Sequence, residues 1–212
     1  MRARALALLG LALAAPLSAQ TSRFLSAGLG AGTGHLHSVP ASGPAEVLSG
    51  VLIGGNVTLH LNRFSLEGFY AQGNLTADTG TAPSRDIVDG SVMAVVRPIS
   101  WLAIKGGFHL RAYVTPSFTE RPAAWELRAR GEAPLIAGRM TGFAEVFRSV
   151  QATTNTGVDL DYWQGGSAGM TLRLPRAPVW GRLSYFIDQT VGVDGGKETL
   201  DGIAVSVGFG GR

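Results

Sequence analysis

Between Leu102 and Val114 every second residue is apolar or glycine: Leu102, Ile104, Gly106, Phe108, Leu110, Ala112 and Val114. Lys105, His109 and Arg111 lie between them. A repeat of two predicts a β-strand with one apolar and one charged face. The same alternation, bounded by turn-forming residues, predicts strands at 23–33, 48–61, 63–74, 86–97, 101–113, 124–133, 136–148, 160–174, 179–190 and 199–210. Each is long enough to cross a bilayer at a tilt, which takes about 9–11 residues.

Connections alternate in length. Asn62-Arg63, Pro98-Ile99-Ser100, Pro134-Leu135 and Pro175–Pro178 are tight, whereas 34–47, 75–85, 114–123, 149–159 and 191–198 are longer and polar. After Pro16, every proline is expected in a turn or loop, where a missing backbone donor does no harm. Parity sorts the strands into an outward set that includes Val51, Ile53, Val57, Leu59, Val88, Val92, Val96, Trp125, Leu127, Val146, Leu172, Leu183, Ile203, Val205 and Val207. The opposite faces carry Glu67, Asp89, Arg97, Lys105, His109, Arg111, Glu126, Arg128, Arg130, Glu132, Arg139, Glu145, Asp161, Arg173, Arg182 and Asp188. An Arg on the lipid face at mid-membrane costs about 2–4 kcal/mol. A consistent sorting therefore predicts apolar-out, charged-in strands. Since backbone groups in hydrocarbon have no water partners, the sheet must close on itself. Small inward residues on the first strand (Ser26, Gly28, Gly30) and the last (Gly202, Ala204, Ser206, Gly208) suit that closure.

The N-terminus changes the setting. Arg2 and Arg4 precede an apolar run from Ala5 to Ala15 and a Pro16-Leu17-Ser18-Ala19 cleavage site, which reads as a secretory signal over 1–19 followed by one domain over 20–212. The run is too short for a spanning helix. The absence of cysteine excludes a lipoprotein anchor, disulfides and thiolate metal sites. Loss of Arg2 and Arg4 leaves 16 of the 18 basic residues against 15 acids, so charge gives no argument for nucleic acid. Charged residues form 16% of the chain, below the roughly 25% of soluble domains, and its 30 glycines run at about twice the usual rate.

Together the signal, the alternating strands and the final segment Gly202-Ile203-Ala204-Val205-Ser206-Val207-Gly208-Phe209 resemble small bacterial outer-membrane β-barrel proteins, over essentially the whole mature chain. The resemblance is architectural and points to no particular family. It implies a closed antiparallel transmembrane barrel of about ten strands (eight is the alternative count), with both termini and the short turns on the periplasmic side. It also implies outer-membrane lipid and the barrel-assembly machinery as partners. Such proteins usually end in an aromatic residue; here Gly210-Gly211-Arg212 follows Phe209.

The inward charges are the functional lead. Strand direction puts Arg97, Lys105, Arg130, Arg139, Arg173 and Arg182 towards the periplasmic end. It puts Asp89, Glu126, Glu145, Asp161 and Asp188 towards the outside, with Arg111 among them. An ion-pair network filling a narrow barrel is expected. A porin-like, narrow passive channel for small ions or polar solutes is the sharper reading. Glycine-rich first, second and last strands favour some open space on one side. His35 and His37 are expected in the first long loop, and His60 and His109 in the polar filling. Phe64, Tyr70, Trp125, Tyr162 and Phe209 suit interface belts, while Trp101 and Trp180 fall inward near the turns.

Neither a cofactor nor a metal is expected, and catalysis is not. An omptin-type protease would use acids such as Asp89, Asp161 and Asp188, but parity puts no histidine in the upper inward ring. A lipid A-modifying enzyme would need an outward histidine in the upper half of a strand, and none is predicted. Adhesion or recognition by the outer loops is the other alternative.

Overall fold

Alternation of apolar and polar side chains leaves each strand with one face for hydrocarbon and one for the interior, and hydrogen-bonded ladders satisfy the backbone between them. A computed structural model describes residues 24–78, 82–156 and 159–210. It contains β1 (Leu25–Val39), β2 (Glu46–Leu61), β3 (Phe64–Ala77), β4 (Arg85–Ile99), β5 (Leu102–Val114), β6 (Thr119–Glu120), β7 (Ala123–Ile136), β8 (Met140–Thr153), β9 (Leu160–Arg173), β10 (Val179–Gly192) and β11 (Lys197–Gly210). Ten long strands pair antiparallel with their sequence neighbours, and the two-residue β6 folds back on the end of β5. β1 closes the ring on β11 through Gly28↔Gly208, Gly30↔Ser206 and Gly32↔Ala204. The expected signal segment, 1–19, lies outside the described residues.

One rim carries the short turns and both ends of the barrel domain; the other carries the longer connections. At the turn rim, Asn62 adopts φ 60° in the two-residue link from β2 to β3, a conformation asparagine tolerates. Gly138, at φ 68°, makes the β7–β8 turn. Two boundary expectations are corrected here. Pro98 lies inside β4 and Pro134 inside β7, not in turns. Both sit where the ladder shifts register, between Val96 and Ile99 and between Pro134 and Ile136, so neither removes a donor the pairing needs.

At the loop rim the strands run further than the alternation suggested. β1 continues to Val39 and β2 starts at Glu46, so the expected loop 34–47 shrinks to 40–45. β3 reaches Ala77, β8 reaches Thr153, and the β10–β11 link is 193–196. The cause is a change in what each face meets. On β3 the outward residues Phe64, Leu66 and Tyr70 give way to Gln72, Asn74 and Thr76; on β11, Phe209, Val207, Val205 and Ile203 give way to Asp201 and Thr199. Beyond that boundary the inward face turns apolar, and pairing continues above the apolar band. A strand of fourteen residues spans roughly 46 Å at about 3.3 Å each, more than a tilted crossing of a band about 25 Å tall requires.

Candidate functional site

The interior is built in tiers. Towards the loop rim, Arg111 on β5 is the hub. Its Nη1 and Nη2 donate to the two carboxylate oxygens of Asp188 on β10, each at 2.7 Å, and its Nε and Nη2 donate to Asp89 on β4 at 3.1 and 2.6 Å. His109, one step down the same face of β5, has Nε2 2.5 Å from Asp89 and Nδ1 2.7 Å from Glu126 on β7. Carboxylate oxygens accept, so the ring donates from both nitrogens, as an imidazole carrying both protons does. Trp163 on β9 roofs the pair: its indole stacks on His109 at 4.2 Å, and the Arg111 guanidinium lies 4.9 Å from its ring centre.

Lower down, Lys105 bridges Glu67 (2.7 Å) and Glu145 (2.9 Å), and Arg128 bridges Glu126 (2.7 Å) and Glu145 (3.3 Å). Arg130 and Arg97 share Glu132 at 2.8 and 3.2 Å. Register makes this possible, since β5, β7 and β8 place these residues on one face of adjacent strands (Lys105↔Arg128, Arg130↔Glu145).

Above the charges sits an apolar cap. Leu36, Leu48, Leu75, Ile87, Tyr113 and Leu200 come from six strands, are 0–2% exposed, and form one cluster. Leu52 and Phe186 pack beneath them. Over the cap, Arg85 pairs with Glu46 and, at 3.0 Å, with Glu198. A cavity of about 930 Å³, lined by residues of all ten long strands, runs from Phe24, Asn62, Ser100 and Gly210 at the turn rim to Leu52, Ile87 and Leu200. It is a vestibule, open below and blind above. The Trp180 ring leans on its wall: a Cβ at Gly28 or Gly208 would fall 2.4 Å from the indole, so only glycine fits there.

The structure gathers most of the expected charges into this network, with four exceptions. Arg139 is exposed in the β7–β8 turn and among the described residues joins no ion pair, because β7 runs on to Ile136 and leaves it outside the lumen. Asp161 has inward parity but lies exposed at the start of β9, at the loop rim. Arg173 and Arg182 do line the lumen, yet among the described residues neither has a carboxylate within 4.0 Å. His35 and His37 lie in β1 with exposed outward side chains, not in a loop. His60 faces the lumen, with Nδ1 3.4 Å from Ser65 Oγ. Parity puts no histidine in the upper inward ring and places His109 in the polar filling; from there His109, diagonal to Asp89 across the β4–β5 ladder, reaches that outer acid. Among the described residues, no group of three His, Cys, Asp or Glu side chains is placed to hold a metal.

Among the aromatics, Phe64, Tyr70 and Trp125 are exposed outward, and Trp125 meets Phe108 edge-on at 5.7 Å. Tyr162 lies beside outward Arg148, and Phe209 is half-buried on the last strand. Trp180 is inside, but Trp101 is 56% exposed in the β4–β5 turn, contrary to its parity. Missing from the sequence reading were the apolar cap, Trp163 and Phe69. Their signal was parity alone: each shares its strand face with an inward glycine or polar residue, Leu36 with Gly34, Ile87 with Asp89 and Trp163 with Gly165.

A closed, ten-stranded antiparallel barrel, apolar outside and charged within, is the fold of bacterial outer-membrane β-barrel proteins. The translocator domain of the autotransporter NalP from Neisseria meningitidis is similar over 97% of this chain and 93% of its own, with TM-score 0.50 and 12% identity. The attachment invasion locus protein Ail of Yersinia pestis matches over 88% of this chain and 99% of its own, with TM-score 0.37 and 13% identity. No family model matches the sequence, and no curated protein matches it.

Proposed function

We propose that this chain is an integral protein of a bacterial outer membrane whose barrel is shut to passive flow at its loop end. In this reading it holds the loop surface at the outer face and keeps a blind vestibule open to the periplasm. The apolar cap carries the proposal. Six side chains, 0–2% exposed, meet across the lumen above the ion-pair tiers, and neither water nor ions cross a packed apolar layer cheaply. The outward apolar band supports the lipid setting, as does the secretory pattern of residues 1–19.

The charged cluster around His109 supports a structural role over catalysis. Both ring nitrogens are engaged by carboxylates and Trp163 covers one ring face, so no nitrogen is left to take a substrate proton. Detergent-extracted chain should show heat-modifiable mobility and, in planar bilayers, no steady conductance. Recovery in the soluble fraction would overturn the membrane setting, and stable ohmic channels from the native chain would overturn the closed barrel.

A further inference from the structure

From the walls of the vestibule we infer a binding site for an anionic amphiphile, with a carboxylate or phosphate head gripped by Arg173 and Arg182 and an apolar body against the opposite wall. The inference goes beyond the closed-barrel reading and does not depend on whether the cap ever opens.

Charge bookkeeping in the lower lumen leads to it. Glu67 is held by Lys105, Glu132 by Arg97 and Arg130, and Glu145 by Lys105, Arg128 and Arg130. Every acid there is engaged, and Arg173 and Arg182 remain. They lie on neighbouring strands at diagonal positions: Arg173 faces Trp180 across the ladder, and Arg182 faces Thr171. Two like charges so placed repel unless an anion joins them.

Arg182 is also held for the task. Its Nε donates to Thr171 Oγ1 at 3.2 Å, and its guanidinium lies 5.1 Å from the Trp180 ring centre and 5.5 Å from that of Phe143. Among the described residues its two Nη groups donate to nothing, and neither is a buried orphan; they face the cavity. A planar fork with both terminal nitrogens free matches the oxygens of a carboxylate or phosphate.

Across the cavity, on β2 and β3, stand Gly54 and Ala71, with Phe69 turned inward yet 45% exposed. An aromatic ring left open inside a barrel is surface for an apolar ligand body. The volume of about 930 Å³ lies within the usual range of small-molecule pockets, about 300–1,000 Å³. The entrance is at the turn rim, so the ligand enters from that side.

The test uses the full chain folded in nanodiscs of zwitterionic lipid, titrated calorimetrically with octanoate, octyl phosphate, octanol and inorganic phosphate. Octanoate and octyl phosphate are expected to bind saturably and more weakly as salt rises, with octanol and inorganic phosphate roughly 10-fold weaker or worse. R173Q and R182Q should each weaken the amphiphiles by roughly 10-fold, and R182K should retain part of the affinity. R139Q, at the exposed turn, should bind as the native chain does. Heat-modifiable mobility confirms that each variant is folded. Amphiphile binding that survives in the folded R173Q/R182Q double variant overturns the site, as does octanol binding as well as octanoate. Inorganic phosphate binding as tightly as octyl phosphate overturns the amphiphile. None of these outcomes bears on conductance, so the closed-barrel reading stands or falls separately.

Discussion

At the scale of single residues, burial decides which charges matter. The Arg111 side chain is 2% exposed between Asp89 and Asp188. Removing it strands two carboxylates in a site that water scarcely reaches. Arg111→Met is therefore expected to cost about 3–5 kcal/mol in urea unfolding of the lipid-inserted barrel. Neutralising all three groups (R111M, D89N, D188N) should recover most of that loss. A loss under about 1 kcal/mol for R111M would mean the pairs are not the core of the tier. Trp163 offers the opposite case. Its Nε1 is buried with no acceptor among the described residues, while its ring faces do the stacking. Trp163→Phe keeps an aromatic face and drops an unpaired donor, so it should cost less than about 1 kcal/mol in the same experiment. A loss as large as that of R111M would show that the indole nitrogen has a partner after all.

Strands show how far the sequence could be read. Alternation is a local property, and it located all ten crossing strands and the faces of most residues, from Lys105 to Val207. Strand ends are not local in that sense. Leu36 and Leu75 sit in stretches rich in Gly, Ser, Thr and Asn that look like loops. Their strands continue because Leu36 pairs beside Leu48 and Leu200 on neighbouring strands and completes the cap. Ion-pair partners were equally out of reach, since register between strands far apart in sequence sets them: Arg111 meets Asp188 only once the ring has closed. Arg139 shows the converse error, a correct alternation extended past the end of its strand. The short β6 makes a testable element of its own. Burial, with the Glu198 carboxylate beside it, pushes the Glu120 carboxyl above its ordinary value, against the pull of Arg85. A raised acid contributes stability below its unfolded pKa and loses it as pH rises through the folded value. Amides of 115–121 should thus be better protected from hydrogen exchange, after correction for intrinsic rates, at pH near 4 than at pH 7. Arg85 also pairs with both Glu46 and Glu198. Comparison with E120Q isolates the effect: the variant should lack the acid-side gain, and an unchanged profile would remove Glu120 as its source.

For the whole molecule, what matters is how two unlike halves share one ring. Ion pairs and aromatics from β4, β5 and β7–β10 fill one side. By the β1, β2 and β11 wall the vestibule reaches the underside of the cap, and the apolar cluster, with the Arg85 ion pairs over it, separates the two rims. In the proposed closed barrel, the barrier to flow would lie apart from the charges that would select ions. Loosening the charged tier should destabilise the barrel without opening it, so R111M is expected to remain silent in planar bilayers. Trimming the cap with L36A, L75A and L200A should instead open a path through the vestibule. That path would pass Arg182 and Arg173, which among the described residues form no ion pair, so the channels should favour anions. Adding R182E to the trimmed cap should move the reversal potential in a salt gradient towards cations. Silence from the trimmed barrel, once its heat-modifiable mobility shows it folded, would place the barrier elsewhere. Cation-selective channels from it would contradict the unpaired arginines as the lining of the path.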